Sequence, residues 1–167
     1  MRILGIDPGL QVCGYACLEA GEGGEKLLEA GVFRTDSEAA IEARLNQIAE
    51  DMTAVLKRFE PEAVAVEELY SHYAHPKTSI LMGHARGVIL QKCAGLGVEV
   101  RSFSSTRIKK SITGNGRASK EQMQRAVQRL LSLASEPEPS DVADAIAAAV
   151  CCANSSSRAA MVADGRI

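Results

Sequence analysis

The sequence predicts an α/β domain built on a central mixed five-stranded sheet flanked by helices, and three observations predict it. The N-terminal part holds three strand-like runs separated by tight turns, which is the pattern of a β-meander. Ala63-Val64-Ala65-Val66 is short and continuously apolar, as expected of a strand buried on both faces of a sheet. Between and after these strands lie segments with apolar residues at helical spacing, so strand, helix and strand alternate and imply a right-handed crossover that sets the new strand parallel to the first.

The first strand, Arg2 to Ile6, ends in Asp7 and turns on Pro8-Gly9. Proline presets its own φ and glycine tolerates positive φ, so the chain reverses directly after the acid. The spacing predicts further strands over Val12–Leu18 and Lys26–Arg34, with Glu22-Gly23-Gly24 as the turn between them. Asp36 or Ser37 can cap a helix beginning near Glu38, with Ile41, Leu45, Ile48, Met52, Val55 and Leu56 on one face and Pro61 closing it. After the strand at Ala63–Val66 come Glu67-Glu68, a polar loop from Tyr70 to Pro76, and a helix from about Lys77 to Ala94. Gly83 and Gly87 sit four apart on that helix, where each costs about 1 kcal/mol relative to alanine, so another helix is expected to approach there. Val98–Arg101 is the last strand. Ser104 or Ser105 caps a short helix that Gly114-Asn115-Gly116 breaks, and Ser119 with Gln122 forms a capping box for a helix to about Leu133. Ser140 is expected to cap a buried, alanine-rich helix from Asp141 to about Ala153. The chain thus reads as one domain over residues 1–155 with a mobile tail over 156–167.

Composition narrows the function classes. At 167 residues, 46% hydrophobic and 24% charged, the chain is ordinary for a globular protein. Five cysteines lie in apolar surroundings without metal-binding spacing, which reads as reduced core thiols of a cytoplasmic protein. No signal peptide and no membrane-spanning run is expected. The net charge is −2, yet between Arg101 and Arg129 eight Lys/Arg residues face one acid, Glu121. That one-sided segment is a candidate phosphate-contacting surface or, more simply, a solvated helix face.

Four acids stand in awkward places. Asp7 and one of Glu67 or Glu68 end central strands, while Asp141 and Asp144 share one helix face by their i, i+3 spacing. Asp141 is accounted for as a first-turn acid that complements the helix dipole. Asp144 is not, because it interrupts an apolar run, and a buried carboxylate needs a cation or a donor. Carboxylates that repel one another become favourable together around a hard divalent ion such as Mg²⁺, and two such ions suit phosphodiester hydrolysis. Other schemes find no support: His72, His75 and His84 make no HExxH, and there is no G-x-S-x-G and no Walker loop.

Gly5-Ile6-Asp7-Pro8-Gly9, Gly14-Tyr15, Ala65-Val66-Glu67, Gly83-His84-Ala85-Arg86-Gly87, Lys109 with Lys120, and Asp141-Val142-Ala143-Asp144-Ala145 together resemble the RuvC family of bacterial Holliday-junction resolvases, in order and over residues 2 to about 153. The resemblance implies a ribonuclease H-like fold. It implies a homodimer that nicks opposing strands of four-way junction DNA using Mg²⁺, with two ions per subunit and Mn²⁺ as a substitute, in recombination and repair alongside the RuvA-RuvB branch-migration complex. It assigns metal binding and catalysis to Asp7, Glu67, Asp141 and Asp144, choosing Glu67 over Glu68. It assigns Tyr70 to stacking on DNA, places Lys109 and Lys120 near the scissile phosphate, and makes the Gly83–Gly87 helix the dimer contact. Arg86, Lys110 and Arg117 complete the expected DNA-binding set. Rival readings are a related nuclease acting on RNA or other branched DNA, a junction-binding module that does not cut, and an actin-like phosphotransferase, for which 167 residues supply no second half.

Overall fold

A computed structural model describes residues 1–21, 23–69 and 76–163. The chain runs β1 (Arg2–Asp7), β2 (Val12–Gly21), β3 (Gly24–Arg34), α1 (Ile41–Phe59), β4 (Ala63–Glu67), α2 (Pro76–Gly95), β5 (Glu99–Phe103), α3 (Ser105–Thr113), α4 (Lys120–Leu130) and α5 (Ser140–Ala163). The five strands form one mixed sheet in the order β3-β2-β1-β4-β5. β1 pairs antiparallel with β2 and parallel with β4, and β4 pairs parallel with β5, as the crossover rule requires.

Strand alternation divides the core into two layers. Leu4, Ile6, Val64 and Val66 point to the face covered by α1 and α2, where they pack with Ile48, Met52, Leu56 and Ile89. Ile3, Ala16, Leu18, Ala63 and Ala65 point to the other face and pack with α3, α4 and the apolar length of α5. α5 lies unusually close to the sheet. A Cβ on Gly5 would fall 2.0 Å from the carbonyl oxygen of Ala145 and 2.8 Å from the nitrogen of Ala149. On Gly14 it would fall 2.0 Å from the carbonyl oxygen of Asp141. Only glycine at these two positions lets helix backbone rest on strand backbone.

Four expectations need correction. α1 begins at Ile41, not near Glu38, and Ala40 caps it without a side-chain hydrogen bond. Asp36 is used instead in its own turn, where its Oδ1 accepts from the Glu38 N–H and its carbonyl from the Ala39 N–H. α4 ends at Leu130, ahead of Ser132 with φ 51°. α5 continues to Ala163, well past Ala153, so most of the tail expected over 156–167 is helix. Ser155 and Ser156 do not break it, because their hydroxyls donate to the Cys151 and Cys152 carbonyls at 2.8 and 3.0 Å. Ser140 is the first residue of α5, not the residue ahead of it. Gly83 and Gly87 are open on α2: among the described residues nothing lies within 4 Å of Gly87, and Gly83 meets only Leu69 Cδ1 at 3.9 Å. The loop carrying Tyr70, His72 and His75 lies outside the described residues. No described helix is long and apolar enough to cross a membrane.

Gly5→Ala is expected to destabilise the protein by about 1–3 kcal/mol, since the added methyl must push α5 backbone from the sheet. Urea unfolding measures this, and a variant as stable as wild type would contradict the close seating of α5.

Candidate active site

The site forms where β1 and β4 end side by side. Ile6 pairs with Val66, so Asp7 and Glu67 are the next residues on neighbouring parallel strands. Both share the side-chain parity of Ile3 and Ala63, the face on which α5 lies. Glu68 has the opposite parity and is exposed, so the backbone itself chooses Glu67. Across the hairpin Asp7 pairs with Gly14, and Gly14 is where the first turn of α5 rests. That contact brings Asp141, and Asp144 one turn on, over the strand ends.

The result is a cavity of about 330 Å³ walled by Asp7, Glu67, Asp141, Asp144, Lys109 and Lys120, with Pro8, Gly9, Val12, Met82, Ser105 and Met123 completing it. Sequence reasoning named the six charged residues, and the fold gathers all six from five separate elements. Asp144 is half-buried at this cavity and not enclosed in the core as its apolar neighbours suggested. Met82, Met123 and Ser105 are additions. Ser104 takes the capping role on α3 by accepting from the Arg107 N–H, which frees Ser105 to hydrogen bond with Glu67. The Ser-Ser pair signalled a cap, but nothing in its sequence told which serine would face the acid.

Electrostatics at the site are dominated by like charge in a partly dry place. Burial raises the Asp7 carboxyl well above the usual carboxylate range, and Asp144, Glu67 and Asp141 push it further, against a smaller pull from Lys120. Burial also raises Glu67, while the Ser105 hydrogen bond and Lys109 oppose the rise. Burial raises Asp144 too, with Lys120 and Lys109 opposing. The two lysines therefore oppose the rise in these acids without cancelling it. Lys120 is itself steered by a 3.3 Å hydrogen bond to Ser140 Oγ. The acids face one cavity without closing round a single point: among the described residues, no three acidic, imidazole or thiol groups meet at ligating distance. Their donor atoms are all carboxylate oxygens, a set that fits a hard divalent cation.

The remaining sequence candidates lie elsewhere. Arg86 reaches from α2 to brace the strand ends, donating to the Glu67 carbonyl at 3.3 Å and to Ser102 Oγ at 2.8 Å. Lys110 lines a separate groove between α3 and α5. Arg117 is exposed in the α3–α4 link, where its backbone N–H donates to Asn115 Oδ1. Tyr70 lies outside the described residues.

A carboxyl raised in the fold weighs against folding once pH exceeds its unfolded value, and the penalty vanishes when acid protonates it in both states. Asp7→Asn is therefore expected to raise Tm at neutral pH without divalent ions by about 2–4 °C. The gain should fade as pH drops through the carboxylate range, and a gain independent of pH in differential scanning calorimetry would refute the burial of this charge. Lys120→Ala should likewise move the acid limb of any pH–activity profile to higher pH, because Asp7 and Asp144 lose their cationic neighbour.

The chain is similar to known proteins over most of its length. The family model described as crossover junction endodeoxyribonuclease RuvC matches residues 3–152. A crossover junction endodeoxyribonuclease RuvC of Rhodopirellula baltica is 47% identical over 149 residues, covering 89% of this chain and 84% of the relative. The solved Thermus thermophilus RuvC superposes with a TM-score of 0.86 at 32% identity, covering 95% of this chain and 97% of that one. The same T. thermophilus protein in complex with Holliday junction substrate gives 0.85 at 29% identity, covering 95% and 96%. With its acids on adjoining strand ends and its sheet that of the ribonuclease H-like resolvases, the chain belongs to the RuvC crossover junction endodeoxyribonuclease family.

Proposed function

We propose that this protein resolves Holliday junctions by nicking two opposing strands, using divalent metal ions held by Asp7, Glu67, Asp141 and Asp144. The observation that carries the proposal is the convergence of these four carboxylates with Lys109 and Lys120 in one cavity. Hydrolysis consumes one water at each nicked strand and leaves a 5′-phosphate and a 3′-hydroxyl. Two Mg²⁺ ions, or Mn²⁺ in their place, supply Lewis-acid stabilisation and an acidified water when bound.

The chain's own residues do the rest. Asp7 and Glu67 stand on rigid strand ends and Asp141 and Asp144 on the seated end of α5, so the carboxylates are oriented before substrate arrives. Lys109 and Lys120 offer positive charge to the scissile phosphate and to the charge that develops on it. Ser105 and Arg86 hold the Glu67 side chain and backbone in place. Lys110, Arg117 and Tyr70 contact the DNA outside the cavity, the last by stacking on a base. The outer face of α2, with Gly83 and Gly87 open and Ile80 59% exposed, supports a second copy docking there as a homodimer. Two sites related by a two-fold axis would match a near-symmetric junction. In the cytoplasm the substrate would come from a branch-migration complex of the RuvA-RuvB type.

The test is cleavage of a labelled mobile four-way junction beside a linear duplex of the same sequence, with Mg²⁺ or with EDTA. Paired symmetric nicks on the junction alone, lost with EDTA, are expected, whereas equal cutting of linear duplex would overturn the substrate. Asp7→Asn should lower cleavage on the order of a thousandfold while junction binding stays near wild type. Unchanged cleavage would remove Asp7 from the chemistry.

A further inference from the structure

The basic segment does not present one surface. α3 carries two faces with different environments. Ser105 and Lys109, one turn apart, look into the catalytic cavity. Arg107, Lys110 and Ser111 instead line a groove of about 460 Å³ against Cys151, Asn154 and Ser155 of α5. No carboxylate lines this groove.

Its two cations are uncompensated, unlike Arg101 and Arg125 of the same basic segment. Arg101 is paired with Glu99 at 2.8 Å, and Arg125 with Glu136 at 3.8 Å. Arg107 and Lys110 have no ion-pair partner among the described residues. Arg107 is nevertheless held in place, with its guanidinium 4.9 Å from the centre of the Phe103 ring and its Nη2 donating to Ser155 Oγ at 2.9 Å. A guanidinium has five N–H donors, so this anchoring leaves others for a ligand. Lys110 and Asn154 are exposed at the rim, and the Asn154 side-chain amide makes no hydrogen bond among the described residues. Preset guanidinium, free ammonium and free amide, with no acid present, make a chemistry for a phosphate group.

The groove's position says which phosphate. Cys151 and Ser155 follow Asp144 by about two and three helical turns on the same stripe of α5. At 1.5 Å per residue the groove lies roughly 10–16 Å along α5 from Asp144. A DNA strand carries a phosphate about every 3.4 Å of axis and winds as it rises, so a site at this distance is reached by the same strand within about four nucleotides of the nick.

We propose that the groove between α3 and α5 binds a backbone phosphate of a junction arm within about four nucleotides of the nick, with Arg107, Lys110 and Asn154 as its contacts. The inference rests on the junction-resolving activity proposed above. It makes α3 a ruler that holds one strand at two points, and so fixes which phosphodiester reaches the carboxylates.

The test compares the full-length protein with Lys110→Ala and Asn154→Asp, both exposed changes, for binding to a labelled junction over a salt series with Ca²⁺ in place of Mg²⁺. Each variant is expected to bind about tenfold more weakly. For Lys110→Ala the slope of log affinity against log salt should be shallower by about 0.9. A neutral methylphosphonate linkage moved through the first four phosphates from the nick should, at one position, weaken wild type by a similar factor and leave Lys110→Ala unaffected, because the contact is already gone. Variants indistinguishable from a wild type that binds and cuts the junction would overturn this inference alone. A loss in Lys110→Ala that persists with neutral linkages at those positions would overturn it as well. Thermal stabilisation by inorganic phosphate that Asn154→Asp abolishes, with junction affinity unchanged, would make the groove a small-anion site and refute the arm contact. A wild type that binds no junction would overturn the activity reading and this inference together.

Discussion

Everything at the site depends on how closely α5 rests on the sheet. The helix touches β1 and β2 backbone to backbone at Gly5 and Gly14, leaving no room for a single methyl group at either. Because Gly14 pairs with Asp7, the same contact that buries the alanine-rich face of α5 also sets Asp141 over the strand ends. Stability and site geometry are thus one interaction. The apolar residues between Val142 and Ala153 drive the helix down onto the sheet, and Asp141 and Asp144 ride half-buried on its first turns.

The acids are held together against their own repulsion. Each of Asp7, Glu67 and Asp144 is harder to ionise than in water, chiefly because it is partly out of solvent. Folding tolerates this because the carboxylates are few, the core beneath them is wholly apolar, and Lys109 and Lys120 lie within reach. The arrangement stores unfavourable charge where a divalent cation and a phosphate would relieve it, which is the general logic of preorganised sites.

The basic segment shows how helical periodicity divides labour. Residues one or two apart in sequence, Lys109 and Lys110 or Arg107 and Lys109, point into different cavities because each step turns the helix by about 100°. Arg101 and Arg125, from the same segment, are neutralised locally and belong to the scaffold.

The sequence by itself determined the order and type of the elements, the four acids as a group, and the one-sided basic segment. Local rules carry these: strand length and apolarity, turn chemistry at Pro8-Gly9, the Ser119–Gln122 capping box, and i, i+3 spacing at Asp141 and Asp144. Only the tertiary structure decided what depends on contacts between distant residues. Sheet parity, not the Glu67-Glu68 dipeptide, selects Glu67. The Asp36 turn displaces the start of α1, and hydroxyl-to-carbonyl bonds let α5 run on through Ser155 and Ser156. The partition of α3 between two cavities, with Ser105 on one and Arg107 on the other, exists only because α5 packs along it. A side chain's direction follows from its element, but what it meets there is set by elements far away in the chain.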